Sequence, residues 1–166
     1  MTNHIFIKDR IKSFNTKITV GSDKSISIRS ILLASQAVGV SKITNLLESD
    51  DVLSTLKTIK RLGINYKKAR EVYYIEGYGV NGFNIKRNTQ INAGNSGTLA
   101  RLILGLLVKS RFKIKLIGDK SLSKRDFLRV IEPLEKFGAK LNSNYGKLPI
   151  NIQGTCLLYT SPSPRD

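Results

Sequence analysis

The chain has 166 residues, with 28 Lys plus Arg against 12 Asp plus Glu, a formal net charge of +16, one cysteine and one histidine. That length suits one domain or a piece of something larger, and 40% hydrophobic residues argue for a packed core over a disordered basic tail. The lone Cys156 excludes an intramolecular disulfide framework, His4 alone excludes a histidine cluster, no apolar run approaches the ~20 residues of a membrane span, and MTNHIFIKDRIKSF lacks the apolar stretch of a signal peptide; a cytosolic protein with no metal and no membrane partner is expected.

Taken in chain order, residues 1–20 lead into a small-residue turn, Gly21-Ser22-Asp23-Lys24-Ser25, which opens an apolar helix over 25–37. A short strand is expected around 42–45. Ser49-Asp50-Asp51 then caps a helix whose apolar residues, Leu53, Leu56, Ile59 and Leu62, recur at steps of three and which Gly63 closes as a left-handed C-cap. Strands follow at 64–67 and 72–76. A second small-residue turn, Asn92-Ala93-Gly94-Asn95-Ser96-Gly97-Thr98, opens a helix over 97–109, and the alternation Phe-Lys-Ile-Lys-Leu predicts a half-buried strand over 112–117. A last helix begins near Lys124-Arg125 and ends at Gly138, and strands at 139–142 and 148–153 follow it.

Laying Gly63 on Gly138, an offset of 75 residues, puts Asp51 on Asp126, Leu53 on Leu128, Leu56 on Ile131, Ile59 on Leu134 and Leu62 on Phe137. At a slightly different offset the two apolar helices also match, each with an arginine early on, Arg29 and Arg101. The chain thus reads as α/β, with two copies of helix, strand, helix, strand, strand: the first about 21–80, the second about 92–155. The last eleven residues, CLLYTSPSPRD, differ from the rest in having no lysine, half of the prolines and the only cysteine. One choice of codons for them reproduces a transposon-end adapter used in sequencing libraries. Residues 156–166 are therefore expected to be a non-native tail, and the chain a fragment whose natural sequence runs to about Gly154 or Thr155.

Both turns that open an apolar helix are candidate anion cradles. A helix N-terminus presents unpaired N–H groups and a partial positive charge, and glycine lets an anion approach the backbone closely. Lys24 and Ser25 add a point charge and a hydroxyl, and Arg29 can fork onto a carboxylate. An ordinary N-cap explains any single turn of this kind, but two in corresponding places, each followed by an arginine, weaken that reading. Neither turn matches the nucleotide phosphate loop ending Gly-Lys-Ser/Thr. Capping accounts for Asp50 and Asp51 better than acid–base chemistry does, and Tyr73, Tyr74 and Tyr78 read as cover for a sheet and loop. The high charge on its own would also suit a basic, non-catalytic α/β module that binds nucleic acid, though no block of five or six consecutive basic residues occurs.

Four ordered motifs carry a resemblance: Val20-Gly21-Ser22-Asp23-Lys24-Ser25-Ile26-Ser27-Ile28-Arg29-Ser30, Leu46-Leu47-Glu48-Ser49-Asp50-Asp51-Val52, Gly94-Asn95-Ser96-Gly97-Thr98 through Arg101, and Gly118-Asp119-Lys120-Ser121-Leu122-Ser123-Lys124-Arg125. Together they resemble the 5-enolpyruvylshikimate-3-phosphate synthase family, and fit less well the sister transferase acting on UDP-N-acetylglucosamine. The resemblance implies a cofactor- and metal-free cytosolic enzyme, monomeric when complete, that moves the enolpyruvyl group of phosphoenolpyruvate onto the 5-hydroxyl of shikimate 3-phosphate. It implies an enolpyruvyl-transferase-like lobe of repeated α/β units about a pseudo-threefold axis, here about two of three units in 21–155, with 1–20 belonging to the other lobe. It assigns Lys24, as the catalytic residue, to both substrates, Ser25 and Arg29 to shikimate 3-phosphate, and Gly97 and Arg125 to phosphoenolpyruvate. Gly21-Ser22, Ile28, Leu102 and Asp126 depart from the family's usual residues. Gly97 leaves room that an alanine would take, which implies an intact enzyme that admits glyphosate. The family's proton-transfer acids and further arginines lie beyond this chain, so the fragment is expected to be inactive alone.

Overall fold

The computed structural model describes residues 20–153 together with Ser13, Asn15 and Lys17. Almost all of the expected first-lobe segment 1–20, and the whole of the expected tail 156–166, lie outside the described residues. A first unit consists of α1 (Lys24–Gln36), β1 (Val38–Thr44), α2 (Asp50–Arg61), β2 (Asn65–Ala69) and β3 (Val72–Tyr78). The second consists of β4 (Thr89–Asn92), α3 (Gly97–Leu107), β5 (Ile114–Ile117), a 3-10 turn at Leu122–Lys124, α4 (Leu128–Lys136), β6 (Lys140–Asn144) and β7 (Lys147–Gln153).

The first sheet has the order β1-β3-β2 and is antiparallel throughout. The second has the order β4-β5-β7-β6, in which β5, β7 and β6 repeat the order and directions of β1, β3 and β2, while β4 lies outside β5 and parallel to it. The repeat read from the sequence is therefore a repeat of topology. It is also longer than the sequence suggests, because β4 precedes the helix and the second unit opens at Thr89, not near 92. Four residues with only Thr89 and Ile91 buried carry too short an alternation to register as a strand. The stretch that the N-caps place opposite β4, residues 16–19, lies outside the described residues apart from Lys17.

The helix ends show the repeat at the level of single hydrogen bonds. After α2, Gly63 N–H donates to the Lys60 carbonyl at 3.1 Å and Ile64 N–H to the Ile59 carbonyl at 3.0 Å; after α4, Gly138 N–H donates to Glu135 at 2.8 Å and Ala139 N–H to Leu134 at 3.0 Å. Both are Schellman closures, and both glycines have the positive φ such a closure needs, 87° and 88°. At the other end, Asp23 Oδ1 accepts from Ile26 N–H at 2.6 Å and Ser96 Oγ from Leu99 N–H at 3.2 Å, so Asp23 and Ser96 are equivalent N-caps.

Other boundaries depart from expectation for local reasons. Strand β1 starts at Val38 and stops at Thr44 because Asn45 takes a left-handed φ of 56°. Asp51 lies inside α2, whereas its sequence counterpart Asp126 lies two residues ahead of α4. There the Asp126 carbonyl accepts from Arg101 at 3.1 Å, its carboxylate from Leu128 N–H at 2.7 Å, and Phe127 N–H donates to Gly146 at 2.8 Å, which diverts the backbone from helix. Lys124 and Arg125 consequently belong to the end of the 3-10 turn and not to the start of α4, where the sequence places the beginning of the last helix. The expected cap at Ser49 is one of position only, since its hydroxyl makes no cap bond.

One core joins the units. The apolar sides of α1 (Ile28, Ile31, Leu32), α2 (Val52, Leu56, Ile59) and α3 (Leu99, Ile103, Leu104, Leu107) pack on Ile75, Ile91, Ile114, Leu116, Ile150 and Ile152 of the strands. The alternate positions of β4 and β7, including Gln90 and Asn151, and Lys115 of β5 are exposed. No helix among the described residues is long and apolar enough to cross a membrane.

Two glycine substitutions are expected to shift stability in opposite directions. Gly63→Ala adds a Cβ 2.7 Å from the Asn84 Cβ at a left-handed φ, and should destabilise the chain by about 1–3 kcal/mol. Gly105→Ala, in α3 with nothing within 4 Å of the added Cβ, should stabilise it by about 0.4–1 kcal/mol. Urea unfolding followed by circular dichroism measures both.

Candidate active site

The two small-residue turns open α1 and α3, and the second can be placed on its sheet. The turn between β4 and α3 leaves the carboxyl end of β4, and the loop from Gly118 leaves the carboxyl end of the parallel strand β5, with Asn92 and Ile117 in register. Asp119 N–H donates to the Gly94 carbonyl at 2.8 Å and Ala93 N–H to the Ile117 carbonyl at 2.9 Å, so the third and fourth motifs are stitched to each other. Ligands of α/β sheets gather at such carboxyl ends, where helix N-termini open.

Around the second turn, Gly97 is buried and is the first residue of α3. A Cβ there would lie 2.8 Å from Arg101 Nη1 and 3.0 Å from Arg125 Nη1, so two guanidinium groups converge on the space that glycine leaves. Arg101 is held by the Gly97 and Asp126 carbonyls at 3.4 and 3.1 Å and lies 5.0 Å from the centre of the Phe127 ring; Arg125 donates to Asn95 Oδ1 at 2.8 Å. Neither forms an ion pair among the described residues. Two cations brought together by neutral acceptors, at a helix N-terminus, constitute a site that an anion would complete.

Around the first turn, Lys24 is the first residue of α1, half exposed, and its Nζ lies 2.9 Å from Asp51 Oδ2 in the first turn of α2. Ser25 is partly exposed; Arg29 is exposed and donates through Nε to the Ser25 carbonyl at 3.2 Å. The structure thus brings Lys24, Ser25 and Arg29 onto one helix opening, and Gly97 and Arg125 onto the other. The two openings share a neighbour in α2. Asp51 meets Lys24, and Ser54, three residues along, has its Oγ 3.2 Å from where a Gly94 Cβ would be.

Equivalence of the N-caps shows that Arg29 and Arg101 are not counterparts. Counted from Asp23 and Ser96, Arg29 is the sixth residue of α1 and Arg101 the fifth of α3. One residue turns a helical side chain by about 100°, which leaves Arg29 on the exposed side and carries Arg101 in toward Phe127. Asp51, Asn95 and Arg101 thus touch the candidate site residues, contacts that sequence reasoning did not single out. Only the position of Arg101 within the third motif pointed to it; the Asp51 and Asn95 contacts span 27 and 30 residues, and no local pattern announces them. Among the described residues no group of three or more His, Cys, Asp or Glu could hold a metal ion.

Comparison with known proteins bears on the whole arrangement. Residues 8–161 match the family model described as EPSP synthase (3-phosphoshikimate 1-carboxyvinyltransferase). A 3-phosphoshikimate 1-carboxyvinyltransferase of Ruthia magnifica subsp. Calyptogena magnifica is 46% identical over 149 residues, which cover 90% of this chain and 34% of the relative. One from Streptococcus pyogenes serotype M2 is 40% identical over 139 residues, covering 82% of this chain and 32% of the relative. Among solved structures, EPSP synthase from Acinetobacter baumannii superposes with a TM-score of 0.76 at 35% identity, over 84% of this chain and 32% of its own. The chain thus spans about a third of the length of the relatives it matches, and over that span it belongs to the EPSP synthase family.

Proposed function

We propose that this chain is part of an enzyme that transfers the enolpyruvyl group of phosphoenolpyruvate to the 5-hydroxyl of shikimate 3-phosphate and releases phosphate. The observation that carries the reading is the convergence of Arg101 and Arg125 on Gly97 beside a second cationic helix opening at Lys24. Both substrates are polyanions, and two separate cradles that share α2 suit two anions that must react with each other. In this reading Gly97 and Arg125 hold phosphoenolpyruvate, Arg101 supports them, Ser25 and Arg29 hold shikimate 3-phosphate, and Lys24 reaches both.

The reaction adds the acceptor oxygen, which gives up its hydroxyl proton, to the central carbon of the enolpyruvyl group while the methylene carbon takes a proton, giving a tetrahedral intermediate. Breaking the carbon–oxygen bond to phosphate, with return of a proton from that methyl carbon, restores the double bond. Fixed cations serve this chemistry by holding two charged reactants in register and by stabilising charge that develops on phosphate as it leaves.

The same proposal extends to architecture. Leu33 and Leu102, on the adjoining helices α1 and α3, are 71% and 40% exposed beside Leu106 in an apolar groove. This supports the reading of residues 21–155 as two units of a lobe that a third completes, and of the chain on its own as inactive.

Extending the reading frame from the source DNA and assaying phosphate release from the two substrates tests the activity; a folded full-length protein that releases none would overturn it. In that protein Lys24→Met should lower kcat/KM by about 100-fold or more, the scale of losing one positioned group that stabilises developing charge. Gly97→Ala, which pushes both guanidinium groups outward, should raise KM for phosphoenolpyruvate by about tenfold or more while KM for shikimate 3-phosphate changes less.

A further inference from the structure

Residues 45–49, between β1 and α2, are fastened on two sides. Toward the first cradle, Asn45 Oδ1 accepts from the Ser22 hydroxyl at 2.8 Å, and Leu47 N–H donates to Ser27 Oγ at 3.0 Å, whose own hydroxyl donates to the Asp23 carbonyl at 2.7 Å. Toward the sheet, Glu48 Oε1 accepts from the Tyr73 hydroxyl at 2.9 Å and from the Lys68 ammonium. Tyr73 is buried, which makes its hydroxyl a fixed donor, and Lys68 Nζ also lies 5.6 Å from the centre of its ring. The bond from Lys68, and after it the bond from Tyr73, holds the Glu48 carboxyl below the usual carboxylate range.

Three residues after Glu48 comes Asp51, the partner of Lys24. A part-exposed ion pair is too weak to hold a side chain in place unless one partner is already fixed; for Glu48 and Lys68 the buried Tyr73 hydroxyl fixes the carboxylate, and for Lys24 the position of Asp51 must do so. The cap of α2 does not supply that order, because the Ser49 hydroxyl is buried without a hydrogen-bond partner and makes no cap bond. Val52, buried in the first turn, seats α2 on the core, and the two fastenings on residues 45–49 set how its polar entry lies; the one on the sheet side is Glu48.

We propose that Glu48 is a positioning residue: by clamping residues 45–49 onto Lys68 of β2 and Tyr73 of β3, it sets the entry of α2 so that Asp51 holds the Lys24 ammonium at the mouth of the first cradle. Its value to the enzyme rests on the function proposed above; the positioning itself does not.

The test is lysine acetylation of the 166-residue chain at limiting reagent, resolved site by site by mass spectrometry. An ammonium held on a carboxylate reacts more slowly than a free one. Glu48→Gln should raise the reactivity of Lys24 about threefold, on the scale of one lost exposed ion pair, with Lys113 and Lys140 unchanged and Glu48→Asp in between. A rise at Lys68 with none at Lys24 would overturn the proposal, since the clamp would then have opened without reaching the cradle. If every lysine rises together the Gln variant has unfolded, and Tyr73→Phe, which removes one hydroxyl, decides between the same two outcomes. Because nothing in this readout depends on turnover, a negative assay of the intact enzyme leaves it intact.

Discussion

Helices α1 and α3 can bury their apolar bodies only if their polar ends emerge somewhere, and that constraint shapes the rest of the molecule. Ile28, Ile31, Ile103 and Leu104 are fully buried, so the unpaired N–H groups at the start of each helix must come out at the edge of the core. The sheets decide where. A strand that feeds a helix delivers its N-terminus at the strand's carboxyl end, which is where β4 hands the chain to α3. Each opening is finished by a side-chain cap, Asp23 or Ser96, and what lies just beyond the cap remains available for an anion.

The charge of the chain has to be divided before it explains anything. Most lysines lie at exposed positions, such as Lys113 just before β5, Lys115 on its outer face, and Lys57 and Lys60 on α2, where they are solvated. The arginines near Gly97 differ in kind. Arg101 is held by two carbonyls and a ring, Arg125 by an amide oxygen, and neither is neutralised by a carboxylate. Preorganised donors of this sort stabilise charge well because little is left to reorganise when the anion arrives. The first cradle is built differently, with its lysine already paired to Asp51 and therefore dependent on how α2 enters.

Much of the fold was legible in the residues. Apolar positions at steps of three, closed by Gly63 and Gly138, marked α2 and α4, and the structure closes both with the same pair of hydrogen bonds. The small-residue turns likewise marked the two openings. Reading failed where a long-range contact overruled a local pattern. Asp126 matches Asp51 by position, yet its carbonyl is taken by Arg101 and its neighbour Phe127 by Gly146, so no helix forms there. Arg29 matches Arg101 by type, yet they differ by one position from their caps and so face different ways.

Periodicity, capping residues and glycines act over a few residues, so the sequence by itself determined the α/β class, the internal duplication, the two helix openings and the family to which they belong. The tertiary structure decided which openings share a neighbour, that Arg101 joins Arg125 over Gly97, and that Glu48 reaches Lys68 and Tyr73. Those contacts join residues 20 to 40 positions apart through packed elements, and their partners are chosen by geometry that no stretch of a dozen residues contains.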